Sequence, residues 1–277
     1  ALDLGLNFLD TAVAYGAGHS ETLVGKAIAG RRDEVVVASK LRASKSAPED
    51  VRKELEGSLK RLNTDYIDIY QQHWPAKDVP LAETIGTLEE LRDEGKLRVV
   101  GVSNWMEPEW EEIDDPSRID TLQPNYSLLW RSIEKHVLEL CKKHRIAVIP
   151  YSSLCQGILA GKFDRPDDAP DDSRRANRRL KPDQFGEVKK ILAVLKEVAD
   201  AYGKSMAETA LRWLLDQDGV TAPIVGASRP DQVDRNLGAL DWHLGAEDWQ
   251  RLSDVSKPLS ADLKPHDSMW GWHPRES

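Results

Sequence analysis

Four side chains of four chemical types fall at or just beyond the ends of three short apolar runs. NFLD closes on Asp10 with a phenol following at Tyr15, EVVVASK closes on Lys40, and DYIDIYQQH closes on His73. A carboxylate, a phenol, an ammonium and an imidazole form a proton-handling set. A free tyrosine titrates at about 10, too high for easy exchange at neutrality. A nearby ammonium stabilises the phenolate and lowers that value, and a carboxylate keeps the ammonium charged. Tyr15 is therefore the candidate acid, Lys40 and Asp10 its supporting pair, and His73 a group that donates to, or orients, the atom receiving the proton. Taken singly, each residue has an ordinary reading: an Asp after a strand forms a cap or turn, a loop Tyr packs, and a Lys closing a strand reaches for solvent. Parallel barrels change the odds, because they gather the carboxyl ends of neighbouring strands into one place.

The elements that must do this gathering are visible as an alternation of β-rich runs and amphipathic helices. Strands are expected at 7–9, 34–39, 66–70, 99–102, 121–123, 147–150 and 222–225. Runs such as VVVAS and AVIPY lack polar alternation, as strands covered on both faces do. The clearest helix spans 48–62, with Pro48 in its first turn, Glu49 and Asp50 at its positive end, and Val51, Leu55, Leu59 and Leu62 in one stripe. A second covers 81–94 and stops at Gly95. Seven strands in βα order suggest one α/β domain over 1–277, a (β/α)8 TIM barrel whose first strand is absent; ALDLGLNFLD opens inside a helical pattern and reads as a truncated front.

NFLDTA with Tyr15, VVVASK, DYIDIYQQHWP, GVSNW and IVGASRPDQVDRN, in that order, resemble the aldo-keto reductases over nearly the whole chain. The likeness is nearest to their bacterial general-stress-protein branch. It implies a barrel that lacks its N-terminal hairpin, NADP(H) as cofactor, and reduction of an aldehyde or ketone with Tyr15 as proton donor. Departures from the commonest signature are Asn7 in place of an Arg and a longer gap from Asp10 to Glu21.

The same resemblance distributes the cofactor. No GxGxxG follows a strand, so a dinucleotide has no Rossmann site here. Ser103, Asn104 and Gln123 correspond to residues that hold the nicotinamide carboxamide, and Tyr151 to one that stacks on the ring. Ser152, Ser153, Leu154, Gln156, Gly157 and Leu159 match the loop along the pyrophosphate, with Lys162 and Arg174 adding charge. Gly226, Ser228, Arg229, Gln232 and Asn236 match the adenosine end, where Arg229 would favour a 2′-phosphate by charge-assisted bonding. Trp74 and Trp105 stand where the family lines its substrate pocket, and Trp270 or Trp272 would close it from the tail. The segment 154–182, dense in Asp, Pro and Arg, reads as a lid or a disordered stretch.

The resemblance implies a small carbonyl compound as partner, and composition argues against other classes. A formal charge of −9 over 277 residues argues against a nucleic-acid or anionic-membrane surface, and no apolar run reaches membrane-spanning length. Cys141 and Cys155 have no disulfide or metal spacing, which fits a reducing cytoplasm. No metal is expected, since His136 and His144 lie eight apart with no carboxylate at ligand spacing; a metal-dependent hydrolase ranks last. The alternative to an enzyme is a cofactor-binding regulatory subunit of the potassium-channel beta type. A monomer or weak homo-oligomer is expected.

Overall fold

The computed structural model describes residues 1–261 and 263–276. The described chain falls into two compact units, Ala1–Gln123 with Cys141–Ala147, and Pro124–Leu140 with Val148–Glu276.

The first unit carries strands β1 (Phe8–Asp10), β2 (Val36–Leu41), β3 (Ile67–Gln72), β4 (Leu97–Ser103) and β5 (Thr121–Gln123). They pair in chain order, each parallel to the next. A short β6 (Ala147–Val148) follows at the boundary of the two units. Parallel neighbours need a crossover, supplied by α1 (His19–Ala27), α2 (Pro48–Leu62), α3 (Leu81–Asp93) and the one-turn α4 (Glu107–Glu111).

Helix α2 has the bounds its pattern predicts. Pro48 opens it, Lys60 and Arg61 occupy its last turn, and Asn63 ends it at φ 52°. Its buried stripe of Val51, Leu55, Ser58 and Leu62 takes Ser58 where the sequence suggested Leu59. Helix α3 ends at Asp93, one residue early, before Gly95 at φ 77°.

Strand ends moved more. Glu34 belongs to a short 3-10 turn, Arg32–Glu34, and β2 runs on through Lys40 and Leu41, so Lys40 is a strand residue. All six residues of β3 are buried, Gln71 and Gln72 included; their polarity hid the end of the strand. Gln71, Gly101 and Thr121 lie side by side on β3, β4 and β5. A Cβ on Gly101 would stand 2.5 Å from both Gln71 Cγ and Thr121 Oγ1, so the close approach of these strands needs a glycine there.

The second unit completes the chain with α6 (Pro182–Ala201), α7 (Met206–Leu215), α8 (Pro230–Leu237) and α9 (Ala246–Ser256), while α5 (Val137–His144) crosses the boundary. Phe185, Val188, Ile191, Leu195 and Val198 bury one face of α6, and Ser205 with Glu208 forms a capping box on α7. The expected strand at 222–225 is not formed. Thr221 N donates to Val148 O at 2.8 Å and Ile224 N to Pro150 O at 2.7 Å, but Pro150 and Pro223 have no N–H to give back, so the ladder stops.

The stretch 154–182 folds as 3-10 turns, Cys155–Ala160, Pro166–Asp168, Ser173–Ala176 and Arg178–Leu180. Buried Phe163, Ala169, Asn177, Arg179 and Leu180 anchor it. Both cysteines are buried and free, and burial pushes their thiols up, to about 12 for Cys141 and about 11 for Cys155.

Candidate active site

Asp10, Tyr15, Lys40 and His73 come together in the first unit. Lys40 Nζ donates to Asp10 Oδ1 at 2.8 Å, to Asp10 Oδ2 at 2.7 Å and to Thr11 O at 2.9 Å. The side chain of Lys40 is 0 % exposed and that of Asp10 9 %, so this ion pair is screened little by water. Nζ also stands 5.1 Å from the centroid of the Tyr15 ring. The ring of His73 meets Tyr15 edge to face, centroids 5.7 Å apart. Tyr15 itself is 42 % exposed, which leaves it open to a reactant.

Burial raises the Tyr15 phenol above its usual value, the Lys40 charge and hydrogen bond pull it down, and Asp10 adds a smaller upward push. Burial outweighs the pull of Lys40, so the group is a protonated phenol at neutral pH. His73 is held down to about 3, first by burial and then by the charge of Lys40. Its imidazole is neutral and has one donor and one acceptor to offer.

The loop carrying Tyr15 is unusual in its backbone. Gly16, Ala17 and Gly18 have φ of 61°, 52° and 89° in succession, and left-handed backbone at a non-glycine such as Ala17 is strained unless the surroundings hold it. Tyr15 O accepts from Ser20 N at 3.3 Å, tying the loop to the first turn of α1.

Three of the expected amide and hydroxyl groups join the tetrad. Gln123 Nε2 donates to Asp10 Oδ1 at 2.8 Å. Asn104 Nδ2 donates to His73 O at 2.8 Å and to Ser103 Oγ at 3.1 Å, and Ser103 Oγ donates to Gln123 O at 2.8 Å. Trp105 departs from its expected role: it is 0 % exposed, donates Nε1 to Gln72 Oε1 at 3.0 Å and packs on Trp110. It is core, not a substrate wall. Trp74, next to His73, is half-buried.

The second unit holds a cleft of about 550 Å³ lined by Ser152, Ser153, Leu154, Gln156, Gly157, Lys162, Arg174, Gly226, Ser228, Gln232 and Asn236. Eleven residues expected from two distant stretches thus share one cavity. Its walls suit a dinucleotide: left-handed backbone at Ser152, Gln156 and Gly157, small side chains, and three cations, Lys162, Arg174 and Arg235, for phosphate groups. Arg174 is offset by Asp172 at 2.9 Å, while Gln232 Oε1 accepts from Ser228 N at 2.7 Å and fixes the turn before α8.

Of the six expected cofactor residues outside that lining, Ser103, Asn104 and Gln123 sit beside the tetrad, and three lie elsewhere. Leu159 is a core side chain. Arg229 precedes α8 and turns to Asp231 at 2.8 Å in the open. Arg235 lines the cleft in its place and also pairs with Asp231. The missed signal was periodicity: Gln232, Arg235 and Asn236 are spaced i, i+3, i+4 and share a helix face. Tyr151, the third, stacks on Trp270 with centroids 6.1 Å apart. Trp272, the other tryptophan expected to close the pocket from the tail, is 51 % exposed. Among the described residues, no group of three or more His, Cys, Asp or Glu side chains is placed to hold a metal ion, and no helix is long and apolar enough to cross a membrane.

A parallel sheet with a carboxylate, phenol, ammonium and imidazole at its strand ends defines a recognisable class. The model of the Aldo/keto reductase family matches residues 1–257. Aldo-keto reductase YhdN of Bacillus subtilis is 39 % identical over 254 residues, covering 87 % of this chain and 77 % of that protein. The glycerol dehydrogenase AKR11B4 from Gluconobacter oxydans superposes with a TM-score of 0.85 at 33 % identity, over 95 % of this chain and 84 % of that one. An aldo-keto reductase from Klebsiella pneumoniae, solved in complex with NADPH, superposes with a TM-score of 0.77 at 32 % identity, over 95 % and 83 % of the two chains. The chain belongs to the aldo/keto reductase family, and is an oxidoreductase of that kind.

Proposed function

We propose that the chain reduces an aldehyde or ketone to an alcohol with NADPH, Tyr15 giving the proton to the carbonyl oxygen. The observation that carries this reading is the buried Lys40–Asp10 pair beside the Tyr15 phenol. A nicotinamide cofactor, when held there, would supply the hydride for the carbonyl carbon. Tyr15 keeps its proton at neutral pH and releases it as negative charge builds on the oxygen, where the Lys40 ammonium steadies the phenolate left behind. Neutral His73 donates a hydrogen bond to the same oxygen and orients it. Asp10 holds Lys40 charged and in place, and Gln123 holds Asp10.

Lys162, Arg174 and Arg235 are the cations suited to the phosphates of the dinucleotide, and Arg235 is the one best placed on α8 to read a 2′-phosphate, a role the sequence had suggested for Arg229. The fold we infer is a (β/α)8 barrel; parallel strands in chain order support it, as does the likeness to the Gluconobacter enzyme.

The test is NADPH oxidation, followed at 340 nm, with a panel of simple aldehydes and ketones. Tyr15→Phe is expected to keep NADPH affinity and lose at least a hundredfold in kcat, the scale of general-acid catalysis. Equal turnover by Tyr15→Phe and the parent chain would remove Tyr15 as the acid.

A further inference from the structure

Glu21 is fully buried in the first turn of α1 and takes no part in the chemistry described above. Its carboxylate has two partners: Oε1 accepts from Ser39 Oγ at 2.6 Å, and Oε2 accepts from Arg61 Nε at 2.6 Å. Ser39 precedes Lys40 on β2, and successive strand residues face opposite sides of a sheet. Glu21 therefore grips one face of β2 at the point where the other face presents Lys40 to Asp10. Arg61 belongs to the last turn of α2, so one carboxylate ties α1 to β2 and to α2.

The neighbouring residue completes the grip. Ser20 Oγ accepts from Thr11 Oγ1 at 2.8 Å, and Thr11 O is one of the acceptors of Lys40. The loop between Thr11 and Ser20 is the strained one that carries Tyr15. Gly18 belongs to the same arrangement: a Cβ there would stand 2.6 Å from Arg61 Cδ, so the loop crosses directly over the arginine stem. Left-handed backbone persists only where its surroundings over-determine it, and the ion pair of Glu21 with Arg61, at 2.6 Å, is one such constraint beside this loop.

We infer that Glu21, acting through Arg61 and Ser39, is a positioning residue that sets the separation of the Tyr15 phenol from the Lys40 ammonium. The charged groups facing that phenol are Lys40 and Asp10, with neutral His73 beside it, while the Glu21 carboxylate bonds to Ser39 and Arg61. The inference rests on Tyr15 as the acid only for its effect on rate; the geometry stands apart from it.

Tyrosine labelled with 13C at Cζ reads the geometry at neutral pH without turnover, the Tyr15 signal being assigned by its loss in Tyr15→Phe and Lys40→Met marking its position without the ammonium. In Glu21→Gln, which keeps an acceptor for Ser39 and loses the ion pair, the Tyr15 signal is expected to move towards the Lys40→Met position. The kcat for carbonyl reduction is expected to fall about tenfold or more, as small misplacements of reacting groups do, with NADPH affinity unchanged. Arg61→Gln, which keeps Glu21 bonded to Ser39 and alters the more exposed partner, is expected to act in the same direction, and decides the matter should Glu21→Gln not fold. A Tyr15 signal at its parent position in the folded variants, with only a lowered Tm, overturns the inference and leaves Glu21 a stabilising residue. Full turnover by Tyr15→Phe would instead refute the acid assignment, while the 13C comparison would still decide whether Glu21 holds the phenol against the ammonium.

Discussion

Replacing Asp10 by Leu tests the role proposed for its carboxylate, because the change expected to silence carbonyl reduction also has a stability cost that can be worked out. Lys40 has no exposed surface and Asp10 almost none. Removing one member of a buried pair costs about 3–5 kcal/mol, because the other charge is left uncompensated. An upper bound comes from the escape route: a lysine of ordinary pKa sheds its proton at pH 7 for about 4.6 kcal/mol. Thr11 O would still accept from Nζ, which lowers the cost, while Gln123 Nε2 would lose its acceptor, which adds about 1–3 kcal/mol. The expected loss is about 4 kcal/mol in urea unfolding followed by far-UV circular dichroism. It should shrink between pH 7 and pH 9, since the escape route becomes cheaper by about 1.4 kcal/mol per pH unit. Lys40→Met combined with Asp10→Leu removes both charges and should recover most of the stability, with carbonyl reduction still absent. A loss under about 1 kcal/mol for Asp10→Leu would mean that water reaches the pair, and the argument for a dry, electrostatically strong site would fail.

Other expectations follow from the same geometry. His73 is neutral in the folded chain down to about 3 and protonates near 6.5 when unfolded, so the unfolded state binds the extra proton and stability falls as pH drops from 6.5 towards 3. His73→Gln should flatten that part of the acid-unfolding profile; an unchanged profile would show that the folded imidazole titrates normally. Arg235→Ala should weaken NADPH about tenfold more than NADH, whereas Arg229→Ala, at a residue outside the cleft lining, should discriminate less; fluorescence titration with both cofactors checks the pair, and equal weakening by Arg235→Ala would place 2′-phosphate recognition elsewhere. Gly101→Ala should cost about 1–3 kcal/mol by overpacking, read as a lowered Tm, because its methyl group would press on buried Gln71 and Thr121.

The parts of this chain legible in its sequence were those set by local periodicity or by short motifs. Helix α2 announced both its ends, and Asp10, Tyr15, Lys40 and His73 announced themselves by type and position. Boundaries failed where polar residues are buried, as at Gln71 and Gln72 on β3, because burial on both faces is a property of the assembled sheet. Pro223 could have warned against a strand at 222–225. Nothing local marked Glu21 or Arg61, forty residues apart in sequence, as a pair. Arg229 drew attention through its motif, yet the helix that begins after it turns Arg235 into the cleft instead.

A protein whose family works on carbonyl compounds meets electrophiles that add readily to thiolates. With thiols pushed up to about 12 at Cys141 and about 11 at Cys155, the thiolate fractions at pH 7 are only ~10⁻⁵ and ~10⁻⁴, and neither sulfur is accessible. These two are the only cysteines in the chain. The molecule therefore offers an aldehyde no sulfur nucleophile, and it should tolerate long exposure to α,β-unsaturated carbonyls and to alkylating reagents that would inactivate an enzyme with a surface thiol.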